Sequence, residues 1–203
     1  MKDVVRIMGI DPGTNYMGYG IIDVIDGHPT SVVLGEIDMH TIKDAHQKLS
    51  YIFERVKSLT ESYKPDEVAF ESPFFGENVQ SMLKLGRAQG VAIAAVLSTS
   101  PDTPIEEYAP SRIKQSITGS GQASKERVAQ MINTILGTDY HPRKLDATDG
   151  MAVAICHYYT TSNALTRATA GDKRKGLGGD SKARRGSSSW ERFVQSNPDR
   201  VKR

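Results

Sequence analysis

At 203 residues, with 38% apolar and 25% charged side chains, the chain has the length of one ordinary domain with an appendage and enough apolar residues for a sizeable core. Its longest unbroken run of apolar residues and glycine, Gly90 to Leu97, covers 8 residues, far short of the roughly 20 needed to span a bilayer. The first residues also lack the apolar stretch of a signal peptide, so membrane and secreted classes are disfavoured. Cys156 is the single cysteine; it forms no internal disulfide and builds no zinc site alone, which points to a reducing cytoplasm. The net charge of +2 hides an asymmetry. Residues 164–203 carry 11 Lys or Arg against 4 Asp or Glu, a balance of +7, and the other 163 residues carry 15 basic and 20 acidic side chains, a balance of −5. A basic tail on an acidic body implies a polyanionic partner for the tail. For the body to bind a polyanion, divalent metal must offset its carboxylates.

In chain order, Val4 to Ile10 is an apolar strand broken by the turn Asp11-Pro12-Gly13. Tyr19 to Val24 and Ser31 to Met39 flank Asp26-Gly27, a hairpin signal, with a loop expected to exceed two residues. Ala45, Leu49, Ile52, Phe53, Val56 and Leu59 fall at helical spacing before Pro65. Glu67 to Phe70 is a short buried-type strand leading into Glu71. Val79 to Leu97 reads as a long helix, Ile105 to Tyr108 as another strand, and Lys125 to Leu136 as an amphipathic helix with Ser124 as N-cap. Asp146 to Tyr159 closes the pattern as a helix. A three-strand meander followed by alternating helices and strands gives an α/β fold, a mixed sheet with helices on it. Residues 1–160 form the expected folded domain. Residues 161–203, with Gly171 to Gly176, Gly178-Gly179 and Ser187 to Ser189, read as a basic, mostly disordered tail.

Four acids stand where a fold gains little from acid. Asp11 and Glu71 each directly follow an apolar strand, at a rigid and water-accessible rim. Asp146 and Asp149 are three apart on the last helix and share one face, where like charges repel unless a cation lies between them. Taken singly, each has a plain structural reading: a turn residue before Pro-Gly, a solvated strand end, or first-turn acids favoured by the helix dipole. Together they match what two-metal phosphoryl chemistry requires, and an all-oxygen set without His or Cys suits magnesium.

Gly9-Ile-Asp11-Pro-Gly-Thr14 with Gly18-Tyr-Gly20, Glu71 with Phe74, Leu83-Lys-Leu-Gly86, Tyr108-Ala-Pro with Lys114-Gln115, and Asp146-Ala-Thr-Asp149 occur in this order. The set resembles the RuvC family of bacterial Holliday junction resolvases from Arg6 to about His157. The resemblance implies an RNase H-like fold, a mixed five-stranded sheet flanked by helices. It also implies a homodimer that nicks two like-polarity strands of a four-way junction in recombination and repair. Two magnesium ions per subunit would be held by the catalytic acids Asp11, Glu71, Asp146 and Asp149. Phe74 would stack on a base near the crossover, although its own context equally allows a core or dimer contact. Lys114 and Lys125 match basic positions near the DNA, and RuvA and RuvB are the implied branch-migration partners. Arg87-Ala-Gln89 departs from the Gln-Ala-Arg order of some members. The tail has no aligned counterpart.

The same residues allow competing classes. An actin-like ATPase or sugar kinase shares the Asp-x-Gly-Thr turn but needs a second phosphate loop in a second lobe, and a body of this size holds only one. A junction-binding module without catalysis would do better without four acids. A smaller RNase H-like nuclease acting on ribosomal RNA is the fourth reading.

Overall fold

The computed structural model describes residues 4–73, 78–140 and 146–172, with the side chains of Asp146 and of 163–172 outside the described set. The chain divides into a unit Met1–Thr166 and a second unit Arg167–Arg203, of which only the end of one helix is described. In order, the elements are β1 (Val4–Asp11), β2 (Tyr16–Ile25), β3 (His28–Asp38), α1 (Ala45–Tyr63), β4 (Glu67–Glu71), α2 (Val79–Thr99), β5 (Ile105–Tyr108), α3 (Pro110–Thr118), α4 (Lys125–Leu136) and α5 (Asp146–Asp172). The strands form one sheet in the order β3-β2-β1-β4-β5. The first three pair antiparallel, while β1, β4 and β5 run parallel. This is the expected mixed five-stranded sheet.

The inner strands β1, β2 and β4 are buried on both faces because their side chains alternate between two apolar layers. Met8, Ile10, Ile21, Val68 and Phe70 pack with Ile52, Val56, Ala88, Ala92 and Val96, residues of α1 and α2. Ile7, Ile22 and Ala69 pack on the opposite face with Ile113, Val128, Ile132, Met151 and Ile155 of α3, α4 and α5. Phe70 is fully buried, worth about 1.5–3 kcal/mol over exposure. Helix ends follow their sequence signals. Asp44 caps α1 by accepting from the amides of His46 and Gln47, Ser124 caps α4, and left-handed Lys64 ends α1 before Pro65.

Three local expectations need correction. The β2–β3 loop is the two residues Asp26 and Gly27, both at positive φ (51° and 76°), so the hairpin closes tightly and its strands start and end closer to the turn. Residues Pro110–Thr118 form a helix, α3, that was not read as one; proline at its first turn and Gly119 at φ 77° bound it. The last helix continues past Tyr159 to Asp172, because Ala164, Leu165, Ala168 and Ala170 are strong helix formers and no glycine intervenes before Gly171. No helix among the described residues is long and apolar enough to cross a membrane.

Candidate metal and phosphodiester site

Strand register places the first two acids side by side. Ile10 of β1 is level with Phe70 of β4, and these strands are parallel, so Asp11 and Glu71 emerge together at their carboxyl ends. Alternation then decides the face. Since Ile10 and Phe70 point toward α1 and α2, the next residue on each strand points toward α5.

Helix α5 reaches that face because glycines remove the side chains between them. A Cβ on Gly9 would lie 2.3 Å from the backbone of Gly150 and Ala154, and one on Gly150 would lie 2.4 Å from the Tyr19 backbone. The helix therefore lies directly on the backbones of β1 and β2. Asp149, adjacent to Gly150, is carried to the rim where Asp11 and Glu71 emerge.

Asp11, Glu71 and Asp149 line one cavity of about 170 Å³ together with Lys114 of α3 and Lys125 of α4. Lys125 Nζ lies 2.5 Å from Asp149 Oδ2. Burial, and then the charge of Asp149, push the Glu71 carboxyl up to about 7, against the opposing pull of Lys125 and Lys114. These acids crowd each other enough to raise one proton affinity, and a neighbouring ammonium already answers one of them. Among the described residues no three His, Cys, Asp or Glu side chains stand close enough to hold an ion unaided. The chemistry of the donors nevertheless fits a hard divalent cation: carboxylate oxygens only, in a place where a positive charge relieves repulsion.

Of the residues expected at the site, Asp11, Glu71, Asp149, Lys114 and Lys125 are brought together. Asp146 opens α5 one turn before Asp149, on the same helical face, with its side chain outside the described set. Phe74 lies outside the described residues.

Sequence reading passed over one supporting network. His157 of α5 is buried, with Nε2 at 2.7 Å from Glu67 Oε2 and Nδ1 at 2.8 Å from the Tyr108 hydroxyl. The carboxylate of Glu67 accepts from the ring Nε2–H, and Nδ1 pairs with the Tyr108 hydroxyl. The Tyr108 carbonyl accepts from Ser72 N at 2.9 Å, directly after Glu71. The network thus ties α5, β4 and β5 together beneath the acids. A lone polar residue within the apolar run of α5 was the available signal.

A mixed sheet in this order, with acids at the carboxyl ends of adjacent central strands and on the helix packed across them, is the RNase H-like arrangement. The profile described as Crossover junction endodeoxyribonuclease RuvC matches residues 7–157. A protein of that name from Cytophaga hutchinsonii is 51% identical over 97% of this chain and 88% of its own length. Another from Bacteroides fragilis is 48% identical over 97% and 95%. The solved structure of Thermus thermophilus RuvC in complex with Holliday junction substrate superposes with a TM-score of 0.71 at 28% identity, covering 78% of this chain and 96% of that one. The chain belongs to the RuvC family.

Proposed function

We propose that this protein is a Holliday junction resolvase, an endonuclease that cuts four-way DNA junctions by paired symmetric nicks in recombination and repair. The observation that carries the reading is the convergence of Asp11, Glu71 and Asp149 with Lys114 and Lys125 in one cavity of a RuvC-family chain. The relatives' shared name and the junction held by the Thermus thermophilus protein support it. The family is one of metal-dependent nucleases, and magnesium, two ions per subunit, is our choice for this member. Asp11, Glu71, Asp146 and Asp149 would hold it. Bound there, it supplies Lewis acidity and makes water a better nucleophile near neutral pH. The carboxylates orient the attacking water and accept its proton. Lys114 and Lys125 hold phosphate oxygens beside the acids and fix register without reading sequence. With phosphate in the cavity, Lys125 would have a second anion beside Asp149 to pair with.

A homodimer matches the approximate two-fold symmetry of a junction. Val79 and Leu83 of α2, 63% and 51% exposed, support a self-contact on that helix. RuvA and RuvB as partners, and a cytoplasmic location, complete the reading. Residues 161–203 are assigned to a basic extension that adds salt-sensitive DNA affinity; since α5 runs to Asp172, the deletion that tests it starts at residue 173. Phe74, three residues beyond Glu71, is assigned to stacking on an unpaired base at the crossover, worth about 1–3 kcal/mol. Phe74→Ala should slow cleavage of paired junctions more than of pre-opened ones.

The deciding experiment incubates the protein with a synthetic four-way junction, a duplex and a single strand in magnesium. Symmetric nicks confined to the junction support the reading, and equal cutting of all three substrates overturns it.

A further inference from the structure

The reversed order Arg87-Ala-Gln89 sends its two polar side chains to different places. Gln89 is buried, and its amide donates to Glu107 Oε2 at 2.8 Å. Arg87 is exposed and lines a cleft of about 290 Å³ between the turn after Asp11, the start of α1 and the middle of α2. Lys43, Lys48 and Lys84 line the same cleft beside His46, and none of the described lining residues is acidic. Lys48 is braced, with Nζ donating to the Thr14 carbonyl at 2.9 Å and to Asn15 Oδ1 at 2.6 Å. The neighbouring acid, Asp44, accepts from two amides at the start of α1 and caps that helix, with His46 Nδ1 at 3.9 Å.

This clustering runs against the rest of the body. Residues 1–163 carry an excess of acids, and elsewhere cations meet carboxylates, as in Arg6–Asp23, Lys57–Glu61 and Lys125–Asp149. Four cations gathered in one concavity repel one another, a cost that an anion removes. An arginine fork and lysine point charges together suit phosphate oxygens. Beside the cations the lining is apolar at Leu49, Ile52 and Ala88, and of its neutral polar residues Asn15 already accepts from Lys48.

We infer that this cleft is a phosphodiester-binding subsite for junction DNA, separate from the scissile position and indifferent to sequence. The inference rests on the nuclease reading above. The β1–β2 turn links the two places: Asp11 at its start faces α5, while Thr14 and Asn15 border the cleft on the α1 and α2 side. A strand passing over this turn meets the acids on one side and the cations on the other.

The test uses Lys84→Ala/Arg87→Ala in the full chain, leaving Lys48 to brace the turn. Binding to a synthetic junction is measured in EDTA from about 50 to 300 mM salt. The slope of log Kd against log salt should become shallower by about two, one for each phosphate no longer neutralised, equally for junctions of different sequence. At about 100 mM salt the dissociation constant should rise roughly tenfold. Arg55→Ala/Lys57→Ala removes the same charge from α1 outside the cleft and should barely change the slope. An unchanged slope in the cleft variant, or an equal loss in the control, overturns the subsite. If the unmodified protein nicks the junction in magnesium, that failure belongs to the cleft alone. If it neither binds nor nicks the junction, the nuclease reading fails and takes the subsite with it.

Discussion

The two faces of the sheet are packed by opposite means. On one, α5 lies against bare backbone at Gly9, Gly20 and Gly150, and it carries the acids. On the other, α1 and α2 pack through side chains such as Ile52, Val56, Ala88 and Ala92, and the cations gather at the start of α1 and the first half of α2. Backbone contact leaves little room for adjustment, which would suit the metal-holding role proposed for the acids. Side-chain packing tolerates more change, which would suit the phosphate contact proposed for the cations, since that needs charge more than geometry. The sheet thus sorts a body of net negative charge into a rigid acidic rim and an adaptable basic one.

That contrast can be broken most severely at the acids. Asp11→Asn and Asp149→Asn should each reduce nicking in magnesium by about 10²–10³-fold or more, while junction binding in EDTA holds or tightens because a negative charge near DNA is gone. A variant that nicks near the normal rate removes its residue from the rim. Rigidity is tested next. Gly9→Ala places a Cβ within 2.3 Å of α5 backbone, so it should cost about 1–3 kcal/mol by denaturant melting and depress nicking by displacing Asp149. Full stability and activity in Gly9→Ala would mean that α5 has room to spare.

Charge crowding at the rim gives a pH signature. Glu71, raised to about 7, is protonated in the folded chain at a pH where the unfolded chain has already lost that proton. Its contribution to stability is therefore fully present below its ordinary value near 4.5 and is lost as pH rises through 7. Glu71→Gln should consequently melt higher than the unmodified protein at about pH 8 without metal, by about 1–2 kcal/mol or several degrees. The advantage should close by about pH 5. A difference independent of pH would point to packing instead of charge. The smallest effect belongs to the tolerant face. A Cβ on Gly90 of α2 meets nothing within 4 Å, so Gly90→Ala should stabilise the helix by about 0.5–1 kcal/mol. Loss of stability there would mean that this side of α2 is not open.

Much of this was legible along the chain. The apolar run from Val4 to Ile10, the helical spacing from Ala45 to Leu59 and the cap at Ser124 are local signals, because each depends on residues within one or two turns. Helix α3 was missed because its nine residues carry only two buried apolar positions, Ile113 and Ile117, too few for a clear period. The tight hairpin was missed because its length depends on left-handed Asp26 as well as Gly27, and aspartate announces that conformation less plainly than glycine does.

The sequence by itself determined which residues are chemically able to act. Acids at strand ends and paired on a helix, two lysines that match basic positions of the family and an ordered family pattern are all present before any folding is considered. Which of them meet was decided by the tertiary structure. Parallel pairing of β1 with β4 sets Asp11 beside Glu71, glycine contact brings α5 and Asp149 to them, and alternation along the strands turns the acids toward α5 and away from the cations of α1 and α2. Those are distances between segments far apart in the chain, and only packing of the whole sheet fixes them.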